Sequence, residues 1–197
     1  LLKVFDIMKK ACFLDRDGVL IEEEHYIDSP DKVRLIPGAS DAIKLLEENG
    51  YLAIVASNQS GVARGMFDEE SVKKVNARID ELLAGSGAAI SAYYYCPHHK
   101  DGNISKYSLE CRCRKPEPGM ILQAAKDHSI NLAESFMIGD KLSDLKAAEN
   151  AGCKQTVLVK TGHGEQEAAS PEAKGAIIAQ NIKEAVKLLL KGNSQAS

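Results

Sequence analysis

Short apolar runs alternate along this chain with longer stretches in which apolar side chains recur every three or four positions. The short runs cover residues 10–15, 51–56, 91–96, 134–139 and 155–160, and each reads as a strand. Helical patterns occupy 38–49, 68–84, 118–129 and 142–151, and a last one runs from Ile182 to Leu190. Pro37-Gly38 and Gly50 punctuate the first helix at its two ends, and Asp68 is placed to cap the second. Such alternation predicts an α/β fold built on a doubly wound parallel sheet. Residues 1–9 read as an N-terminal extension, 10–191 as a single domain and 192–197 as a frayed tail. There is no internal repeat and no low-complexity block.

Composition narrows the function classes. A chain of 197 residues with a hydrophobic fraction of 44% is long enough for one domain with a real core. The net charge of −3 leaves no basic footprint for nucleic acid. No apolar run approaches the ~20 residues of a membrane span. Leu1–Met8 is too short and too mixed for a secretory signal. The expectation is a cytoplasmic monomer acting on a small molecule, with no membrane or nucleic-acid partner.

The candidate chemistry begins at Ala11-Cys12-Phe13-Leu14-Asp15-Arg16-Asp17-Gly18, where two carboxylates follow an apolar run. On an extended backbone, side chains at i and i+2 point the same way, so Asp15 and Asp17 can face one site. One can attack an electrophile while the other shuttles a proton. A strand running into a polar turn is the plainer reading of the same residues. Three later segments tip the balance: Val55-Ala56-Ser57-Asn58-Gln59-Ser60-Gly61, Cys113-Arg114-Lys115-Pro116-Glu117-Pro118-Gly119, and Phe136-Met137-Ile138-Gly139-Asp140-Lys141-Leu142-Ser143-Asp144. Each sets a hydroxyl, a cation or a carboxylate where a strand or tight loop gives way to a helix. In a parallel sheet those ends converge on one crevice. The four segments, in this order over residues 10–165, resemble the four motifs of the haloacid dehalogenase-like phosphatases.

Electrostatics explains why each group is needed. A phosphate dianion is repelled by the Asp15 carboxylate, by about 4 kcal/mol per unit charge at 4 Å and an effective dielectric of 20. Magnesium reverses that sign and takes oxygen ligands, which Asp15, Asp140 and a backbone carbonyl at Asp17 would supply. The Ser57 hydroxyl and the Lys115 ammonium would hold the phosphoryl oxygens. Asp17 would protonate the departing alkoxide and then deprotonate water. Lys141 and Asp144 read either as site residues or as an i,i+3 surface ion pair.

Five cysteines occupy positions 12, 96, 111, 113 and 153. Cys12 and Cys153 read as small core side chains. Cys96-Pro97-His98 and Cys111-Arg112-Cys113 form two chelating pairs around the loop 99–110. Cys96, His98, Cys111 and Cys113 suit a tetrahedral structural zinc, and a flexible loop with free thiols is the alternative. With this loop and no large cap, the chain resembles the heptose 1,7-bisphosphate phosphatases and the related phosphatase halves of histidinol-phosphate phosphatases. The Ser57–Gly65 run, the Cys96-Pro97-His98-His99 start and the Cys111–Met120 run favour the heptose branch. That resemblance implies removal of the C7 phosphate with the C1 phosphate retained, for surface-glycan synthesis, and a zinc loop that stands in for a cap. Histidinol phosphate or another small ester is the alternative substrate. By the same resemblance, Glu23, Glu24, His25 and Tyr26 contact the sugar, Ser57, Asn58, Gln59, Ser60, Lys115 and Lys141 belong to the substrate site, and Arg114 holds the distal phosphate. Ser57 stands where threonine is more usual, and His25 where a glycine is frequent. His99, His128 and His163 are assigned no role.

Overall fold

A computed structural model describes residues 8–193. Six parallel strands form one sheet in the order β3-β2-β1-β4-β5-β6. They are β1 (Lys10–Leu14), β2 (Tyr51–Asn58), β3 (Ala92–Cys96), β4 (Phe136–Gly139), β5 (Gln155–Val159) and β6 (Ile177–Ala179). The helices are α1 (Ala39–Glu48), α2 (Gly61–Arg64), α3 (Glu69–Ala84), α4 (Gly119–His128), α5 (Leu142–Ala151), α6 (Gly164–Ala168) and α7 (Ile182–Asn193).

The alternation expected from the sequence is present, and its departures are local. The run over 134–139 becomes a strand only at Phe136, because Leu132–Glu134 turns as a 3-10 helix capped by the Asn131 side chain. The three-residue β6 and the four-residue α2 are too short to print a period on the sequence. Lys9 pairs with Ile130, so sheet-like pairing begins inside the stretch read as an extension, whose residues 1–7 lie outside the described residues. Helix α7 continues past Leu190 to Asn193, and the remaining tail, 194–197, also lies outside them.

β1 is central. Leu14 pairs with Val55 of β2 on one side and Ile138 of β4 on the other. Its side chains alternate between two cores: Cys12 and Leu14 pack with α1, α3 and α7, while Ala11 and Phe13 pack with α4 and α5. All four are fully buried, which is why the run is continuously apolar rather than alternating. The strand order reverses direction between β1 and β4, and that switch point opens the crevice at their carboxyl ends. Asp15 and Asp140 stand one residue beyond these two strands.

Candidate active site

Strand β1 stops at Leu14, so the period-two argument does not carry Asp15 and Asp17 to one face. A turn does so instead. The Arg16 carbonyl accepts the Leu20 and Ile21 N–H groups, and Gly18 N–H donates to the Ile21 carbonyl. Gly18 sits at φ +82°, and a Cβ there would lie 2.4 Å from Asp140 Oδ2. Gly162 approaches the same oxygen from the loop after β5, with the same 2.4 Å clearance. The two glycines thus let two backbones close around Asp140, whose Oδ2 accepts the His163 N–H at 2.9 Å.

The buried charges do not balance. Asp15, Asp140 and Asp144 are at most 5% exposed, and Lys115, the ammonium among them, is 3% exposed. Lys115 Nζ lies 3.0 Å from Asp15 Oδ1 and 2.7 Å from Asp144 Oδ1, and donates to the Ala56 carbonyl at 2.7 Å. The ammonium therefore makes two buried ion pairs and one hydrogen bond. Burial would lower the lysine's pKa, but Asp144 and Asp15 together hold it above the ordinary value. Burial raises the Asp15 pKa further than Lys115 lowers it. Asp140 is pushed up to about 8 by burial, then by Asp15 and Asp144.

A divalent cation would answer this arrangement. Oxygens of Asp15, Asp140 and Asp144 lie within 4.8 Å of one another, and Asp140 Oδ1 is buried with no hydrogen-bond partner. An all-carboxylate donor set suits magnesium. Asp144, left open in the sequence reading, belongs to this cluster. Its Oδ2 also accepts the Lys141 N–H at 3.0 Å at the start of α5.

A cavity of about 500 Å³ opens above the cluster. Asp15, Asp17, Glu23, His25, Tyr26, Ser57, Asn58, Gln59, Ser60, Arg114, Lys115 and Lys141 all line it. Glu24 does not; it is exposed. Tyr26 has φ +60°, an uncommon backbone for an aromatic residue, on the loop expected to meet the sugar. Asn58 lines the cavity yet spends its amide on the Lys115 backbone, accepting the Lys115 N–H at 3.0 Å and donating to its carbonyl at 3.1 Å. Arg16, Phe67, Ser143 and His163 also line the cavity, where the sequence pattern assigns them no role. His163 Nε2 is 3.6 Å from Glu23 Oε2, and Lys141 Nζ is 3.9 Å from the same oxygen. Nothing in a lone histidine after β5 announces this; only the loop's return to Asp140 does.

The cysteine cluster has closed as expected. Cys96 Sγ lies 3.4 Å from Cys111 Sγ and 3.0 Å from Cys113 Sγ, and His98 Nδ1 is 3.4 Å from Cys113 Sγ. One ligand atom from each of the four fits within 4.8 Å. Three sulfurs and one imidazole suit tetrahedral zinc with every position filled by protein. The loop this cluster closes does not roof the cavity, since none of residues 99–110 lines it. It docks sideways instead: Asn103 and Ile104 N–H donate to the Ala63 carbonyl of α2, and the Tyr95 and Tyr107 hydroxyls both donate to Glu69 of α3. Its effect reaches the site through Cys113, two residues before Lys115. Chelating zinc is expected to raise amide exchange across 96–113 and to lower turnover several-fold while the sheet stays protected. Unchanged exchange in that loop would contradict the clamp.

Comparison with known proteins agrees with this geometry. A family model described as "HAD-hyrolase-like" matches residues 112–185. The D-glycero-beta-D-manno-heptose-1,7-bisphosphate 7-phosphatase of Pasteurella multocida is 46% identical over 155 residues, covering 79% of this chain and 84% of its own. The enzyme of that name from Vibrio cholerae is 39% identical over 183 residues, covering 93% and 97%. The crystal structure of D,D-heptose 1,7-bisphosphate phosphatase from B. bronchiseptica, complexed with magnesium and phosphate, superposes with a TM-score of 0.81 at 34% identity, covering 93% of this chain and 99% of that one.

Proposed function

The chain belongs to the haloacid dehalogenase-like phosphatases, among the heptose 1,7-bisphosphate 7-phosphatases, and from that premise we propose that it removes the C7 phosphate of D-glycero-beta-D-manno-heptose 1,7-bisphosphate and leaves the C1 phosphate in place. The observation that carries this reading is the buried triplet Asp15, Asp140 and Asp144 with the Lys115 ammonium at the switch point of the sheet. Magnesium would be held by Asp15, Asp140 and a backbone carbonyl at Asp17, with Asp144 set behind them on Lys115, and would supply the positive charge that lets an anionic nucleophile meet a phosphate dianion.

The protein's own groups carry the rest. Asp15 Oδ attacks phosphorus, the ester P–O bond breaks, and the sugar alkoxide takes a proton from Asp17. Asp17, now a carboxylate, takes a proton from water as that water attacks the phospho-aspartate. The bond from phosphorus to Asp15 then breaks, freeing inorganic phosphate and restoring both acids. Lys115 keeps Asp15 aligned and offsets its charge, while Ser57, whose Oγ accepts a hydrogen bond from Gln59 Nε2 at 2.7 Å, faces the phosphoryl oxygens. Arg114, which also lines the cavity, suits the distal phosphate, and Glu23, His25 and Tyr26 suit the sugar hydroxyls. The C1 phosphate is retained because only one end of the substrate can sit over Asp15 while Arg114 holds the other.

The decisive assay is phosphate release from synthetic α- and β-heptose 1,7-bisphosphates and from histidinol phosphate, with magnesium present or chelated. The expected result is magnesium-dependent release of one phosphate, fastest from the β anomer. Faster hydrolysis of histidinol phosphate would overturn the substrate assignment, and full activity in chelator would overturn the metal's role.

A further inference from the structure

Arg16 is 1% exposed, which is rare for arginine unless every part of the guanidinium is engaged. Here it is engaged on one side by the acid that follows it. Arg16 Nε donates to Asp17 Oδ2 at 3.1 Å and Nη2 donates to Asp17 Oδ1 at 3.2 Å, a two-pronged contact that fixes the plane of the carboxylate. On the other side, Nη1 donates to Asn76 Oδ1 at 3.1 Å and Nη2 to Gln59 Oε1 at 3.0 Å. Gln59 closes the circuit by donating from Nε2 to Asp17 Oδ2 at 2.9 Å and to Ser57 Oγ.

Asn76 is the far anchor of this network and the one member that lines no part of the cavity. It projects from the middle of α3, between Val72, Val75 and Ile79, which are buried in the core. The first turn of that helix is tied down by Asp68, whose Oδ1 accepts the Ser71 N–H, and by Glu69, which accepts the Tyr95 hydroxyl. Asn76 is therefore held by a rigid element on the far side of Arg16 from the reacting atoms.

We propose that Asn76, acting through the buried Arg16, is a positioning residue for the proton-transferring carboxylate of Asp17. This rests on the reading of Asp17 as general acid and base. Asp17 Oδ2 accepts two hydrogen bonds and Oδ1 one, so Oδ1 is the oxygen with capacity left to carry the proton toward the leaving alkoxide. Asn76 and Gln59 hold the guanidinium at both Nη atoms, and the guanidinium in turn holds which oxygen faces the ester. Gln59 acts in the same circuit and orients Ser57 as well, so its amide serves the site's own groups rather than the sugar.

The test uses the dependence of rate on the leaving group. A sugar alkoxide needs a proton as it departs, whereas p-nitrophenolate does not. The ratio kcat/KM covers only the steps through phosphoryl transfer to Asp15, so it isolates the acid role from the later hydrolysis. Measured on the heptose bisphosphate and on p-nitrophenyl phosphate, Asp17→Asn is expected to lose far more on the sugar ester. Asn76→Ala is expected to lose roughly tenfold on the sugar ester and less than about twofold on the aryl ester, because a displaced proton donor slows only the first. Arg16→Lys, which keeps the charge and loses the fork, should behave alike, and it keeps the inference testable if Asn76→Ala folds poorly. Equal losses on both esters, or no loss, alongside a selective Asp17→Asn would overturn the positioning role and leave Asp17 as the acid. An Asp17→Asn variant without selectivity would remove the acid assignment itself and the inference with it.

Discussion

Replacing Asp15 with asparagine is expected to lower turnover by about ten-thousand-fold or more, without loss of stability in chelator. The first effect follows from removing a nucleophile, since an amide oxygen cannot form the phospho-aspartate. The second follows from the electrostatics of the site. Burial holds the Asp15 pKa above its ordinary value, despite Lys115. Its folded-state pKa exceeds the unfolded one, so its ionisation near neutral pH costs stability that a neutral side chain does not. The amide oxygen of the Asp15→Asn variant would still accept the Arg16 N–H that Asp15 Oδ1 accepts at 2.8 Å. Calorimetry in chelator should give a melting temperature equal to or above that of the wild type, and magnesium should raise it less, because one ligand oxygen has lost its charge. Retained turnover would exclude Asp15 as the nucleophile. A large fall in melting temperature would mean that the Lys115 contact, rather than the burial of charge, dominates at this position.

Replacing Lys115 with methionine is expected to have the opposite balance, with the largest effect on stability. The side chain is of similar length, but the ammonium that serves Asp15, Asp144 and the Ala56 carbonyl is lost. Removing one partner of a buried ionic cluster costs roughly 3–5 kcal/mol, because the remaining charges stay buried and unpaired. In a domain of this size that corresponds to a melting temperature lower by about 6–20 °C. Magnesium should restore part of the loss, since a cation bound at the carboxylates offsets the same charge, and the difference between variant and wild type should shrink as magnesium is added. Turnover should fall by about a hundredfold or more. An unchanged melting temperature in chelator would show that Asp144 and Asp15 are neutralised by another route.

The two substitutions probe residues that differ in how far the sequence exposes them. Asp15 announces itself, because an apolar run followed at once by two acids and a glycine is a local pattern. Lys115 is also local in part, lying two residues after the Cys111-Arg112-Cys113 pair and just before Pro116. The strands, the main helices and the four-residue Cys/His cluster are legible for the same reason. Period, capping and chelate spacing are properties of neighbours in the chain. What a carboxylate leans on is not. Asp144 reads either as a site residue or as one end of an i,i+3 pair with Lys141, and only the fold shows one of its oxygens meeting Lys115, far earlier in the chain. Asn58 reads as a substrate contact from its place after Ser57, yet its amide is spent on the Lys115 backbone. Glu24 reads as Glu23 does, and only the path of the loop separates them.

Sequence alone therefore determines which elements form, in what order, and which segments end in chemistry at the mouth of a parallel sheet. Tertiary structure alone decides that Arg16 reaches Asn76, 60 residues away, that Gly18 and Gly162 close around Asp140, and that the zinc loop lies against α2 and α3 rather than over the cavity. The reason is that local spacing encodes backbone period, whereas contacts between distant segments depend on strand order and register, which bring β1 between β2 and β4 and set the ends of all three side by side.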